Sequence, residues 1–191
     1  IISKKDKKEF QSNLSVSNDK IKKSYKFIKL HLKRKVALVI GATGGIGQAA
    51  CIQLAKDGYD IIVHYNKNKA AAEKIQKKIK LIRRKSMIIR ANITSKKSVE
   101  EMTKKLIKKF KTISVLVNCA ALGVPNIKFD DLEWENFEKH HNFNIKSNLY
   151  LIQSLIPYMY QQKYGKIVCI SAGVFRKDSE GQLNFHLKSY Y

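Results

Sequence analysis

From Lys35 onward, short β-branched and apolar runs alternate with longer stretches in which apolar positions recur at helical spacing. The runs are KVALVI (35–40), DIIVHY (60–65), SMIIRA (86–91), ISVLVN (113–118) and KIVCIS (166–171). Helical stretches fall between them at 45–57, at 69–82 (KAAAEKIQKKIKLI), at 98–110 (SVEEMTKKLIKKF) and, longest, at about 130–162. Near-continuous apolar strands separated by helices imply βαβ units, so the pattern predicts a doubly wound α/β fold whose parallel sheet is buried on both faces. In such a sheet ligands bind at the carboxyl ends of the strands, where the strand order reverses. That directs attention to the loops after Ile40, Tyr65, Ala91, Asn118 and Ser171.

Composition refines this picture in three respects. A chain of 191 residues that is 44% hydrophobic can bury one sizeable core, and its longest apolar runs fall far short of the ~20 residues a bilayer requires. The expectation is one soluble domain at 34–191 behind a lysine-rich N-terminal extension at 1–33, with no membrane partner. A net charge of +23 raises nucleic acid as a partner. Yet only five basic residues are Arg (Arg34, Arg83, Arg84, Arg90, Arg176), and bidentate phosphate or base recognition favours Arg. The lysines crowd the extension and the polar faces of helices, so a solvated basic surface is the expectation and a nucleic-acid site the alternative from another class. Cys51, Cys119 and Cys169 are too widely spaced for a disulfide framework or a zinc site and read as reduced thiols. Cytoplasmic residence follows. Organelle targeting by the extension is the alternative, against which stand Asp6, Glu9, Asp19 and the lack of Arg before position 34. His140 and His141 are adjacent helix positions pointing about 100° apart and make no metal pair; Trp134 reads as a core or helix-packing residue.

The loop after the first strand, in VIGATGGIGQAA, holds four of the nine glycines. Between a strand and a helix, Gly41 permits a tight turn, Gly45 lets the backbone approach a pyrophosphate, and Gly47 lets the helix pack on the sheet. The helix N-terminus then attracts the anion, and Ala42, Thr43, Gly44 and Ile46 complete the candidate cofactor loop.

The glycine spacing is G-x-x-x-G-x-G, and here the chain resembles the short-chain dehydrogenase/reductase family, which opens on T-G-x-x-x-G-x-G. Ile40 departs from the family's Thr. Four further motifs follow in family order. ANITS (91–95) is similar to A-D-V-T-S, placing Asn92 and Ile93 beside the adenine; LVNCAA (116–121) resembles L-V-N-N-A-G, placing Asn118 and Ala120 at the cofactor. FNIKSN (143–148) resembles V-N-L-K-G-N, with Asn144 at the catalytic Asn, and YGKIVCIS resembles the strand G-R-I-V-N-I-S. The resemblance covers about 35–184 and implies a Rossmann-like domain. Its activity would be hydride transfer between a nicotinamide and a carbonyl or alcohol carbon. Within the family, GYDIIVHYNKNKAAAEKI and LIQSLIPYM are most similar to bacterial-type 3-oxoacyl-acyl-carrier-protein reductases, which implies acyl-thioester or other small-molecule substrates and a homo-oligomer. An acid at the end of the second strand would repel a 2′-phosphate. This chain has His64, Tyr65, Asn66 and Lys67 there, with Lys69 nearby, so NADP(H) is favoured over NAD(H), although Gly44 lacks the Arg that NADP-using relatives often carry.

In the family a Ser orients the carbonyl, a Tyr exchanges the proton, and a Lys four residues on lowers the phenol's pKa from near 10. The end of this chain fits that pattern in two registers. Ungapped, Ala172 stands at the Ser, and GQLNF sets Phe185 at the Tyr and Ser189 at the Lys, which describes a catalytically inactive dinucleotide binder. Gapped, Ser171 serves as the Ser and Tyr190 or Tyr191 as the Tyr, with the Lys beyond the last residue given. Either way the sheet is expected to be truncated after the fifth strand, leaving that strand as an open edge and the 191-residue chain marginally stable or aggregating.

Overall fold

The computed structural model describes residues 35–122 and 133–170; the N-terminal extension lies outside the described residues. Five strands, β1 (Val36–Ile40), β2 (Asp60–Tyr65), β3 (Ser86–Arg90), β4 (Val115–Asn118) and β5 (Lys166–Cys169), form one parallel sheet in the order β3-β2-β1-β4-β5. The chain winds outward from β1 through β2 to β3, then crosses back to lay β4 against the other side of β1. This is the doubly wound Rossmann-like arrangement the apolar pattern predicts, and its strand order reverses between β1 and β4.

Helices α1 (Gly45–Lys56), α2 (Lys69–Leu81), α3 (Lys96–Phe110) and α5 (Ser147–Gln161) supply the crossovers. Side chains alternate across a strand, so each face of the sheet has its own core. Val36, Leu38, Ile40, Ile62 and Leu116 pack with Val99, Met102 and Leu106 of α3 and with Leu151, Leu155 and Met159 of α5. On the opposite face Ala37, Val39, Ile61, Val63, Val115 and Val117 pack with Cys51 and Ala55 of α1 and with Ala72, Ile75 and Ile79 of α2. Each fully buried Leu, Ile or Val contributes about 1.5–3 kcal/mol, which is why the three central strands, solvent-free on both faces, fix the register.

Three differences from the sequence pattern have physical causes. The long helix expected at about 130–162 is broken: α4 (Trp134–His141) runs into a π-helical turn (Asn142–Lys146) before α5. The side chains of Ser147 and Asn148 bond back to the carbonyls of Phe143 and Asn144, four residues earlier, where a regular helix would place a main-chain donor. Trp134 is not in the core; it is 68% exposed at the start of α4 and stacks on Phe137 at 5.2 Å between ring centres. Ile113 and Ser114, expected to begin the fourth strand, precede it. Strand β5 pairs only with β4, and Ile167, Val168 and Ile170 are 37–47% exposed, so among the described residues it is an uncovered edge.

Candidate functional site

The ends of β1 and β4 meet in the crevice at the switch point. Gly41 leaves β1 with φ +68°, a left-handed conformation that side chains disfavour. A methyl group added there would lie 2.6 Å from the Cα and N of Ala120, so the loop after β4 closes directly on this turn. Gly47 sits where a methyl group would run into the Gly41 carbonyl and lie 2.8 Å from Ala42 Cα, which lets α1 begin hard against the turn. Gly45 is different: a methyl group there meets nothing within 4 Å.

Helix α1 is also capped differently from its neighbours. Asn68 caps α2 by accepting from the Ala71 N–H at 2.9 Å, and Ser95 caps α3 by accepting from the Ser98 N–H at 3.4 Å. Gly44, at the start of α1, offers no side chain, and the first turn holds no acidic residue. The first helical bond runs from the Gln48 N–H to the Gly44 carbonyl, so the N–H groups of Gly45, Ile46 and Gly47 precede the ladder. Gly44, Gly45 and Ile46 are exposed, Thr43 is half-buried, and Ala42 and Gly47 are buried. An anionic diphosphate fits these open amides and the positive end of the helix dipole.

Around this turn the remaining expected residues are distributed over four elements. Asn66 and Lys67 are exposed after β2. Asn92 is exposed after β3, where its Oδ1 accepts from the Thr94 N–H (3.1 Å) and hydroxyl (2.8 Å), while Ile93 points into the core. Asn118, 4% exposed, accepts from the Ala120 N–H at 3.0 Å and donates to Asn148 Oδ1 at 2.7 Å. Its side chain therefore ties β4 to α5. Asn144 lies in the π-turn, where its carbonyl accepts from Asn148 Nδ2 at 2.6 Å. Its own Nδ2 is buried and, among the described residues, has no hydrogen-bond partner. Ser171, Tyr190 and Tyr191, like Ala172, Phe185 and Ser189 of the other register, lie outside the described residues.

Two further side chains complete the crevice: Asn148, to which the sequence reading gave no role, and His64, which it noted only as a non-acidic residue at the end of the second strand. Asn148 joins Asn118, the Asn144 carbonyl and the Cys169 thiol, which donates to its Oδ1 at 3.2 Å. Its four-residue spacing from Asn144 was the available signal. His64, 3% exposed, lies between the ends of β1 and β3. Two of the three thiols are poor nucleophiles here: burial, with a lesser push from Cys119, raises Cys51 to about 12, and burial raises the half-buried Cys119 as well. Among the described residues no group of His, Cys, Asp and Glu could hold a metal ion, and no helix is long and apolar enough to cross a membrane.

Residues 35–185 match the family model described as short chain dehydrogenase. The chain belongs to that family. As a short-chain dehydrogenase it is 33% identical over 153 residues to the 3-oxoacyl-[acyl-carrier-protein] reductase FabG of Staphylococcus epidermidis, a match covering 79% of this chain and 62% of the relative. The corresponding reductase of Staphylococcus aureus is also 33% identical, with 79% and 61% covered. The chain thus spans less than two thirds of the length of these curated relatives. Among solved structures, NAD+-bound xylitol dehydrogenase superposes with a TM-score of 0.69 at 26% identity, covering 73% of this chain and 54% of that one. An NADH-dependent reductase complexed with NAD shares the fold, with a TM-score of 0.67 at 21% identity over 73% and 60% of the two chains.

Proposed function

We propose that this short-chain dehydrogenase domain binds a nicotinamide dinucleotide across the ends of β1 and β4 and serves a reductase acting on carbonyl or alcohol substrates, with 3-oxoacyl thioesters as the substrate class. The observation that carries the reading is the uncapped start of α1, whose three leading N–H groups open over the switch point of the sheet. When bound, the dinucleotide supplies the hydride donor or acceptor. The chain's own residues bind and orient: the Gly41–Gly47 turn takes the diphosphate, Asn92 and the main chain of Ile93 flank the adenine, and Asn118 holds the loop carrying Ala120 against the turn. Asn144 offers its unpartnered amide to a relay of protons into the site. Exposed apolar residues along α4, the π-turn and α5 (Trp134, Ile145, Leu149, Tyr160) suit the homo-oligomer this reading includes for the whole protein.

The direct test is calorimetric titration with NADPH and NADH, followed by NADPH oxidation with acetoacetyl-coenzyme A. Saturable dinucleotide binding with turnover supports the reading; no binding of either dinucleotide overturns it. Binding without turnover supports the dinucleotide site alone and agrees with both registers of the chain's end, the inactive-relative reading among them. That reading rests on Ala172, Phe185 and Ser189, and the family match runs through residue 185, covering the Gly-Gln-Leu-Asn-Phe stretch.

NADP(H) preference rests on the end of β2, where Asn66 and Lys67 are exposed and no acid stands at 64–67, while Lys69 is paired with Glu73 at 3.5 Å. Replacing Lys67 by Glu is expected to weaken NADPH binding about tenfold while leaving NADH within about twofold, since only the former carries the extra phosphate. An equal effect on both dinucleotides would remove Lys67 from the specificity site.

A further inference from the structure

His64 is the last buried residue of β2, and its ring spans the two strand ends beside it. Nδ1 lies 3.4 Å from the Gly41 N–H, and Nε2 lies 3.0 Å from the Ala91 carbonyl oxygen. A main-chain N–H faces one ring nitrogen and a carbonyl the other, so the two contacts are satisfied together only by the neutral tautomer with its proton on Nε2. Gly41 begins the glycine-rich turn and Ala91 the loop carrying Asn92 and Ile93, so one imidazole joins both walls of the crevice through main-chain atoms.

We propose that His64 is a positioning residue that holds the glycine-rich turn and the loop after β3 in register for the dinucleotide, and that releases them when its ring takes up a second proton. This rests on the reading that the crevice binds a dinucleotide.

The chemistry of release follows from the geometry. A proton added at Nδ1 turns an acceptor into a donor pointed at the Gly41 N–H, and two donors then face each other in a buried site. Among the described residues no charged side chain offsets this. The buried faces of α3 (Val99, Met102, Thr103) and α5 (Ser147, Leu151) present no ionisable group. Ile40 ends β1 and Ile89 pairs with His64 in β3; Arg90, Lys96, Lys97 and Glu100 are exposed. Burial holds the imidazole below its ordinary value near 6.5, opposed only in part by the bond to Ala91. The sign follows. An unfolded chain protonates first as pH falls, so the stability His64 contributes is intact above about 6.5 and is lost as pH drops through the lower folded value. Affinity for dinucleotide should fall over the same acidic interval.

The experiment compares the full chain with His64→Leu, which removes both contacts, and His64→Asn, whose Oδ1 can replace Nδ1 toward Gly41 but does not titrate. Amide hydrogen exchange over residues 38–50, without ligand, is the first readout. At pH 8 His64→Leu is expected to exchange about tenfold faster in this segment, the cost of leaving one buried main-chain donor unpaired, while α5 is unchanged. His64→Asn is expected to stay protected at pH 8 and to lose the wild-type loosening that sets in as pH falls below about 6.5. Binding of NAD+ over the same pH range is the second readout, with the wild-type decline flattened in His64→Asn. Wild-type protection in folded His64→Leu overturns the inference. Should His64→Leu not fold, wild-type pH dependence of exchange in His64→Asn overturns it instead. If no dinucleotide binds the wild type, the proposed function fails, and hydrogen exchange still decides whether His64 sets the turn.

Discussion

Replacing Gly41 by alanine is expected to cost roughly 2–5 kcal/mol, while the same change at Gly45 leaves stability within about 0.5 kcal/mol and removes dinucleotide binding. At Gly41 the added methyl group meets two obstacles. The backbone sits at φ +68°, worth about 1–2 kcal/mol against any residue with a Cβ, and main-chain atoms of Ala120 lie 2.6 Å away, where no side chain can rotate aside. Main-chain atoms yield only if β1 and β4 separate, and a loss of this size is a large part of the ~5–15 kcal/mol that holds a domain together. At Gly45 the methyl group has open space and joins the first turn of a helix, which alanine favours. That space is where a diphosphate would approach the leading amides of α1. Urea denaturation read by circular dichroism measures the first effect, and calorimetric titration with NADPH the second, with a loss of at least about tenfold expected. Wild-type affinity in Gly45→Ala would mean that the diphosphate does not approach the chain at that residue.

Asn148→Leu is expected to destabilise the domain by about 2–4 kcal/mol. The change strips three partners at once: Asn118 Nδ2 loses its acceptor, the Asn144 carbonyl loses a donor, and the Cys169 thiol loses its acceptor. Asn118 suffers most, being 4% exposed at the end of β4 with no water to turn to. A double-mutant cycle with Asn118→Ala separates this network from simple loss of packing. Coupling of about 1–2 kcal/mol is expected, because removing the second amide costs little once the first is gone. Strictly additive effects would show that the two asparagines act independently.

The fold was legible in the sequence because its three central strands are buried on both faces and need no partner to announce themselves. VALVI, DIIVHY and VLVN read as apolar runs, and the glycines after the first mark the turn. The site was legible only in part. The helical period of 130–162 carries no sign of a π-turn, since the turn is fixed by side-chain bonds from Ser147 and Asn148 to the preceding carbonyls, and both residues are ordinary on a helix surface. Trp134 reads as a core or helix-packing residue, but hydrophobicity does not reveal that it stands 68% exposed at a helix start, stacked on Phe137. His64 lies inside a strand pattern, and its role depends on Gly41 and Ala91, 23 and 27 residues away. The catalytic Ser and Tyr are ambiguous in the sequence because two alignments of the same stretch place them at different residues.

The π-turn gives the gene a point of fragility that helix propensity conceals. Loss of one codon within 142–146 would let α4 and α5 fuse into a continuous α-helix, locally the better structure. Because a π-turn takes up one residue more than an α-turn, α4 and α5 would keep their mutual orientation and the change would fall on the turn itself. Where the lost codon is that of Asn144, Asn148 keeps its place, and the result is a helix of higher regularity in a domain stripped of a buried amide that has no partner among the described residues. Length variation among natural variants should therefore be purged here more strictly than in the exposed stretch at 66–69, where an added residue displaces no buried bond.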